Sequence, residues 1–132
     1  MIETVSAPDG QVLAYFITAS VLPEQTRFLT PSDCNLQVGQ VVYPAGGDIA
    51  RHVHLPIERH IVGTTEVLLV QQGRCSVDVY TDARDLVTTR EMGAGDMVIA
   101  VGGGHGFRVV EDLVLLEIKQ GPYPGGAEKE RF

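Results

Sequence analysis

Apolar and polar positions follow one another along this chain in short segments, and no long helical period appears. The clearest segment is residues 75–80, where Cys75, Val77 and Val79 alternate with Ser76, Asp78 and Tyr80. That is the period of a half-buried strand, because successive side chains leave a strand on opposite faces. Just before it, Val67-Leu68-Leu69-Val70 is a continuous apolar run, as in a strand buried on both faces, and Gly73 closes it. Residues 11–17 predict a first strand and residues 36–43 another, the latter closed by Pro44 and Gly46-Gly47. Asp82-Ala83-Arg84-Asp85 reads as a hairpin loop leading into residues 86–90, and Gly93-Ala94-Gly95-Asp96 as the next turn, before a strand at 97–101. Residues 107–110 and 113–119 follow, separated by a turn at Glu111-Asp112, and the Gly- and Pro-rich stretch 121–126 predicts irregular chain. Strands this short, punctuated by fifteen glycines and seven prolines, predict an all-β sandwich or barrel.

Composition narrows the function more than the fold. A chain of 132 residues, 44% of them hydrophobic, fits one domain with a working core, 1–132. No apolar run approaches the ~18 residues of a membrane span, so no membrane role is expected. Met1-Ile2-Glu3-Thr4 has none of the basic and apolar regions of a signal peptide, which makes the cytoplasm the expected location. Ten Lys and Arg against seventeen Asp and Glu give a net charge of −7, which opposes phosphate neutralisation and so a nucleic-acid partner. Trp is absent and aromatics are only 6%, so a stacking platform for single strands is also not expected. Cys34 and Cys75 have no metal-ligand or disulfide-framework spacing and read as free thiols in or near the core.

The chemistry-bearing residues are gathered between Gly46 and His105. Gly46-Gly47-Asp48-Ile49-Ala50-Arg51-His52-Val53-His54 carries two histidines one residue apart. On a strand both imidazoles would leave the same face. Glu66 opens the apolar run that ends near Gly73, and Gly102-Gly103-Gly104-His105-Gly106 holds a third histidine in a glycine-rich turn. There is no nucleophile elbow, and the glycine turn lacks the Lys and helix signal of a phosphate loop.

Gly46-x5-His52-x-His54, followed by Glu66-x6-Gly73, resembles the first motif of the cupin superfamily, and Gly95-Asp96-x4-Val101-x-Gly103-x-His105 resembles the second. The likeness implies a double-stranded β-helix, the jelly-roll cupin barrel, over about 36–120, with an N-terminal strand extension over 1–35 and an irregular tail over 121–132. It also implies that His52, His54, Glu66 and His105 are the ligands of one divalent transition metal per chain. This chain departs from the pattern in three places. Eleven residues, not the family's usual few, separate His54 from Glu66, and Glu58 stands at the short spacing as a rival ligand. Glu66 is preferred because it alone opens the apolar strand and precedes a glycine by seven positions, which makes residues 56–60 an inserted loop at the barrel mouth. Val101 replaces the usual Pro, and the step from Gly103 to His105 is one residue short.

Imidazole and carboxylate donors without thiolates suit Fe, Mn, Ni, Co or Zn, and four protein ligands leave open positions for water, O2 or a chelating molecule. The implied activity is metal-dependent chemistry on a small organic molecule, of dioxygenase, isomerase or lyase type. The alternative is a non-catalytic module that binds a metabolite or sugar. A metal-free epimerase, which needs only a His–carboxylate pair, is a third reading. Glu58, His60 and Lys119 are candidate proton-relay residues. Alternation sets Phe107 and Val109 beside His105, and Leu68 and Val70 beside Glu66, as an apolar lining. On the last strand Glu117 and Lys119 share a face with Leu115, either as a solvated ion pair or as a polar pair at the mouth. The opposite face, Val114, Leu116 and Ile118, is wholly apolar and predicts a homodimer.

Overall fold

The computed structural model describes residues 1–132. It contains eight strands and no helix, so no helix is long and apolar enough to cross a membrane. The strands are β1 (Ile2–Ser6), β2 (Val12–Ile17), β3 (Arg27–Phe28), β4 (Gly39–Gln40), β5 (Glu66–Tyr80), β6 (Leu86–Gly93), β7 (Met97–Ala100) and β8 (Gly104–Lys119). Six of them make one antiparallel sheet in the order β1-β2-β7-β5-β6, with β8 on the other edge of β5, and β3 and β4 form a separate two-stranded ribbon. The large sheet is curled into a half-barrel.

The curl is produced by β5 and β8, which are longer than the sequence pattern predicts. Residues 67–70 and 75–80, expected as two strands broken at Gly73, are one strand; 107–110 and 113–119 are likewise joined through Glu111-Asp112. The predicted breaks are bends within these strands. The β5–β8 register slips at three places between Val70 and Cys75, and each slip inserts a bulge that bends and twists the pair. Gly73 sits there at a φ of 83°, with Asp112 O only 2.1 Å from where a Cβ would be. Thus the first half of β5 pairs with β7 and the second half with β6, both along the same edge, while β8 follows β5 around the bend.

The concave face holds the main core, including Leu13, Val70, Cys75, Val77, Val79 and Val98. The convex face carries a smaller cluster, Tyr15, Ile17, Val67 and Ile99, covered by Leu29, Leu36 and Val38. The turn at residues 93–96 is fixed where it was expected. Asp96 accepts from Gly93 N and Ala19 N, and Gly95 N donates to Val70 O at 2.7 Å. The loop at 82–85 is also as expected, with Thr81 N donating to Asp85 O. Cys34 and Cys75 are free, half-buried and buried respectively.

Two expectations are corrected. The strand at 36–43 shrinks to Gly39–Gln40, and the histidine-bearing segment is not a strand. Residues 41–63 are exposed throughout, and no backbone–backbone hydrogen bond involves residues 48–64. A strand exists only where a neighbouring edge accepts its ladder, and Pro44, Gly46-Gly47 and Pro56 interrupt any such ladder here. The all-β class and the barrel-like curl therefore stand, with the 41–65 stretch lying outside any sheet.

Candidate functional site

The site is a product of the bend in β5. Glu66 is the first residue of that strand, and a straight strand would hold it about 40 Å from Val79 at ~3.3 Å per residue. The bend swings the far half back across the concave face. Val79 is in register with His105, and His105 Nε2 lies 3.0 Å from Glu66 Oε2. With its proton on Nε2 the imidazole donates to the carboxylate. The ring of His105 packs edge-on against Phe107, at 5.8 Å between centroids. Gly103 makes the tight approach to this histidine possible, because at its φ of 61° a Cβ would stand 2.1 Å from Tyr80 O.

Glu66 is buried, 9% exposed, and a cation lies beside it. Lys119 faces it in register on β8, with Nζ 3.9 Å from Glu66 Oε1. The hydrogen bond from His105, opposed by burial and helped by the nearby charge of Lys119, holds the Glu66 carboxyl below its ordinary value of 4.5. Because the folded value is the lower one, this carboxylate contributes stability that is fully present above about pH 4.5 and is lost as the pH falls through the folded value. Glu66→Gln is therefore expected to flatten the loss of stability below pH 4.5 in acid titrations followed by chemical denaturation. An acid limb as steep as in the wild type would remove this assignment. Lys119 also lies 3.7 Å from Glu117 and 2.8 Å from Glu128; its hydrogen bond to Glu128 raises its pKa above the ordinary lysine value.

Glu66, His105, Glu117 and Glu128 line a groove of about 1340 Å³ on the concave face, with Leu68, Phe107 and Leu115 among its apolar walls. Beneath it Leu13, Val77 and Val98 are packed so closely that no water would fit. Leu68 and Val70 are buried as expected beside Glu66. Val109 is in register with Cys75 on the concave side but is 64% exposed, because β8 is the outermost strand and nothing covers its edge. Glu117 and Lys119 lie on the groove side with Leu115, and Val114, Leu116 and Ile118 are exposed on the other.

The structure gathers Glu66, His105 and Lys119 but not the other predicted residues. His52 and His54 lie on the exposed 41–63 segment, with their rings edge-to-face at 5.2 Å and His52 Nδ1 3.0 Å from Ala50 O. Glu58 and His60 are exposed on the same segment. No group of three or more His, Cys, Asp or Glu side chains is close enough together to hold a metal ion. A divalent ion thus fits the donor chemistry of Glu66 and His105, two of the four implied ligands, and the other two stand away from them. Of the rival carboxylates, Glu66 is the one beside His105.

Sequence reasoning missed the tail. Residues 121–132 are irregular, as expected, but the last five of them, 128–132, form one wall of the groove. Glu128 reaches Lys119, Glu130 reaches Arg84 at 2.6 Å, and the Phe132 ring stands edge-on to Tyr80 at 5.1 Å with the Arg84 guanidinium 5.3 Å from its centre. The alternating charges of Glu128-Lys129-Glu130-Arg131 were the only available signal, and they do not say which cations they meet.

The chain matches no protein-family model, no curated protein and no solved structure.

Proposed function

We propose that this protein is a cupin-like barrel that holds one divalent transition metal per chain at Glu66 and His105 and acts on a small organic molecule in the adjoining groove. The observation that carries this reading is the 3.0 Å approach of a buried carboxylate and an imidazole in a groove whose walls include Leu68, Phe107 and Leu115. Apolar walls raise the effect of any charge placed there and suit a small ligand. Bound at these donors, the ion would supply Lewis-acid or O2 chemistry. Lys119, beside Glu66, is the residue positioned to orient an anionic group or hold a proton. Glu58 and His60 remain proposals for a relay that depends on where their segment lies.

His52 and His54 complete the ligand set if residues 48–62 add as a strand to the outer edge of β8, closing the half-barrel into a jelly roll. What supports this is a match of unmet needs. The β8 edge is unpaired along Gly104–Lys119, Val109 is uncovered, and the segment has apolar Val53, Leu55 and Ile57 in solvent with no backbone partners. An open edge and an open strand each carry polar backbone groups that pairing would satisfy.

Elemental analysis of protein purified without chelators tests the reading. About one first-row metal ion per chain is expected, falling to a small fraction with Glu66→Ala. A metal-free wild type would favour a second reading that the same contact supports, in which Glu66 and His105 act alone as a proton-transferring pair. Binding of a small acid or sugar without its consumption would instead make the protein a metabolite-binding module.

The apolar outer face of β8 supports a homodimer. Val114, Leu116 and Ile118 are each more than 40% exposed in one row, and pairing of two copies would remove that row from water. Sedimentation at micromolar concentration is expected to give a dimer; a monomer would remove this proposal.

A further inference from the structure

We infer that the groove takes a linear dicarboxylate, and that Glu128 and Glu130 of the tail stand in for its two carboxylates. The tail engages two basic side chains, Arg84 on the groove wall and Lys119 beside the groove residues Glu66 and Glu117, and each is held by a tail glutamate, Glu128 at 2.8 Å from Lys119 and Glu130 at 2.6 Å from Arg84. Glu128 and Glu130 are two residues apart, so their Cα atoms are separated by at most about 7 Å. Both cations are thus met by carboxylates carried on one short stretch of chain, an arrangement that a molecule acidic at each end would copy. The cations come from the folded body, Lys119 from the end of β8 and Arg84 from the β5–β6 loop. The glutamates come from an irregular strap that no sheet holds in place.

The Arg84 end of the strap is the weaker one. The Arg84 and Glu130 side chains are 49% and 80% exposed, and a pair so exposed is worth ~0–1 kcal/mol. A ligand that meets both cations at once gains the second contact at high effective concentration, as the strap does. Phe132 on Tyr80 and Arg84 adds an apolar latch to the same segment. Glu66 and Glu117 also lie within 4.0 Å of Lys119, and a ligand carboxylate would take the place that Glu128 holds.

The inference rests on the groove being a small-molecule site, and adipate is the probe. Calorimetric titration of the full chain with adipate is expected to show binding that tightens at least about fivefold in Glu128→Gln/Glu130→Gln, since the competing carboxylates are gone. Lys119→Met and Arg84→Met are each expected to weaken it, Arg84→Met by up to about fivefold. Amide hydrogen exchange in residues 124–132 should speed up when adipate is added to the wild type. Failure of adipate to bind either the wild type or the double variant would overturn the inference, as would equal affinity in both. Metal content measured on the same preparations separates this from the metal proposal. Tail-sensitive adipate binding without metal sustains the inference alone, and metal without tail-sensitive binding sustains the proposal alone.

Discussion

Gly73→Ala is expected to destabilise the fold by about 3–5 kcal/mol. Two causes act together. The residue has a φ of 83°, where an L side chain is strained by ~1–2 kcal/mol. The added Cβ would also stand 2.1 Å from Asp112 O and 2.8 Å from Asp112 C, both backbone atoms of the bend in β8. Neither strand can yield alone, because the bulges that fold β5 fold β8 with it. Gly106→Ala is the matched control, since its φ is not in the left-handed region and no atom lies within 4 Å of the new Cβ. Urea denaturation of both variants is the measurement, and a Gly73→Ala midpoint like that of Gly106→Ala would show that the bend is not under this constraint. The consequence reaches the site. Without the bend, Glu66 and His105 are at opposite ends of the β5–β8 pair, so Gly73→Ala that still folds should lose the acid-sensitive Glu66–His105 contact.

His52→Ala is expected to lower metal affinity about 100-fold or more, as loss of a direct ligand does, although His52 stands exposed and away from Glu66 and His105. Titration of metal-free protein with Zn or Co measures it. The result reports on barrel closure, because His52 can matter to an ion at Glu66 only if residues 48–62 reach the β8 edge. His60→Ala on the same segment has no assigned ligand role and serves as the comparison. If His52→Ala binds metal as the wild type does, while Glu66→Ala does not, the segment takes no part and the centre is built from the groove residues alone.

The strand periods of this chain were readable because burial on one face imposes them locally. Cys75, Val77 and Val79 alternate with polar neighbours, and all three are in the core. The turns at 82–85 and 93–96 were readable for a related reason, since Gly and Asp there meet conformational and hydrogen-bonding demands within a few residues. The separation of Gly73 from a strand end was misread. A glycine that stops an apolar run and a glycine that bends a continuing strand look alike until the partner strand is in place. The 36–43 and 52–54 segments have strand-like alternation, but alternation says only that one face is apolar, and pairing needs an edge that this structure does not give them.

By itself the sequence determined the all-β class, the positions of most turns and the net negative charge, and it favoured Glu66 over Glu58. These depend on side-chain period, net charge and local backbone conformation, all properties of short stretches. Only the tertiary structure decided that β5 and β8 run unbroken through their bend, that Lys119 joins Glu66 and His105, and that the tail lays Glu128 and Glu130 over Lys119 and Arg84. Each of these is a meeting of residues remote along the chain or across a bend. Such a meeting is fixed by which strand edges pair and by where the sheet curls, and no local pattern carries that information.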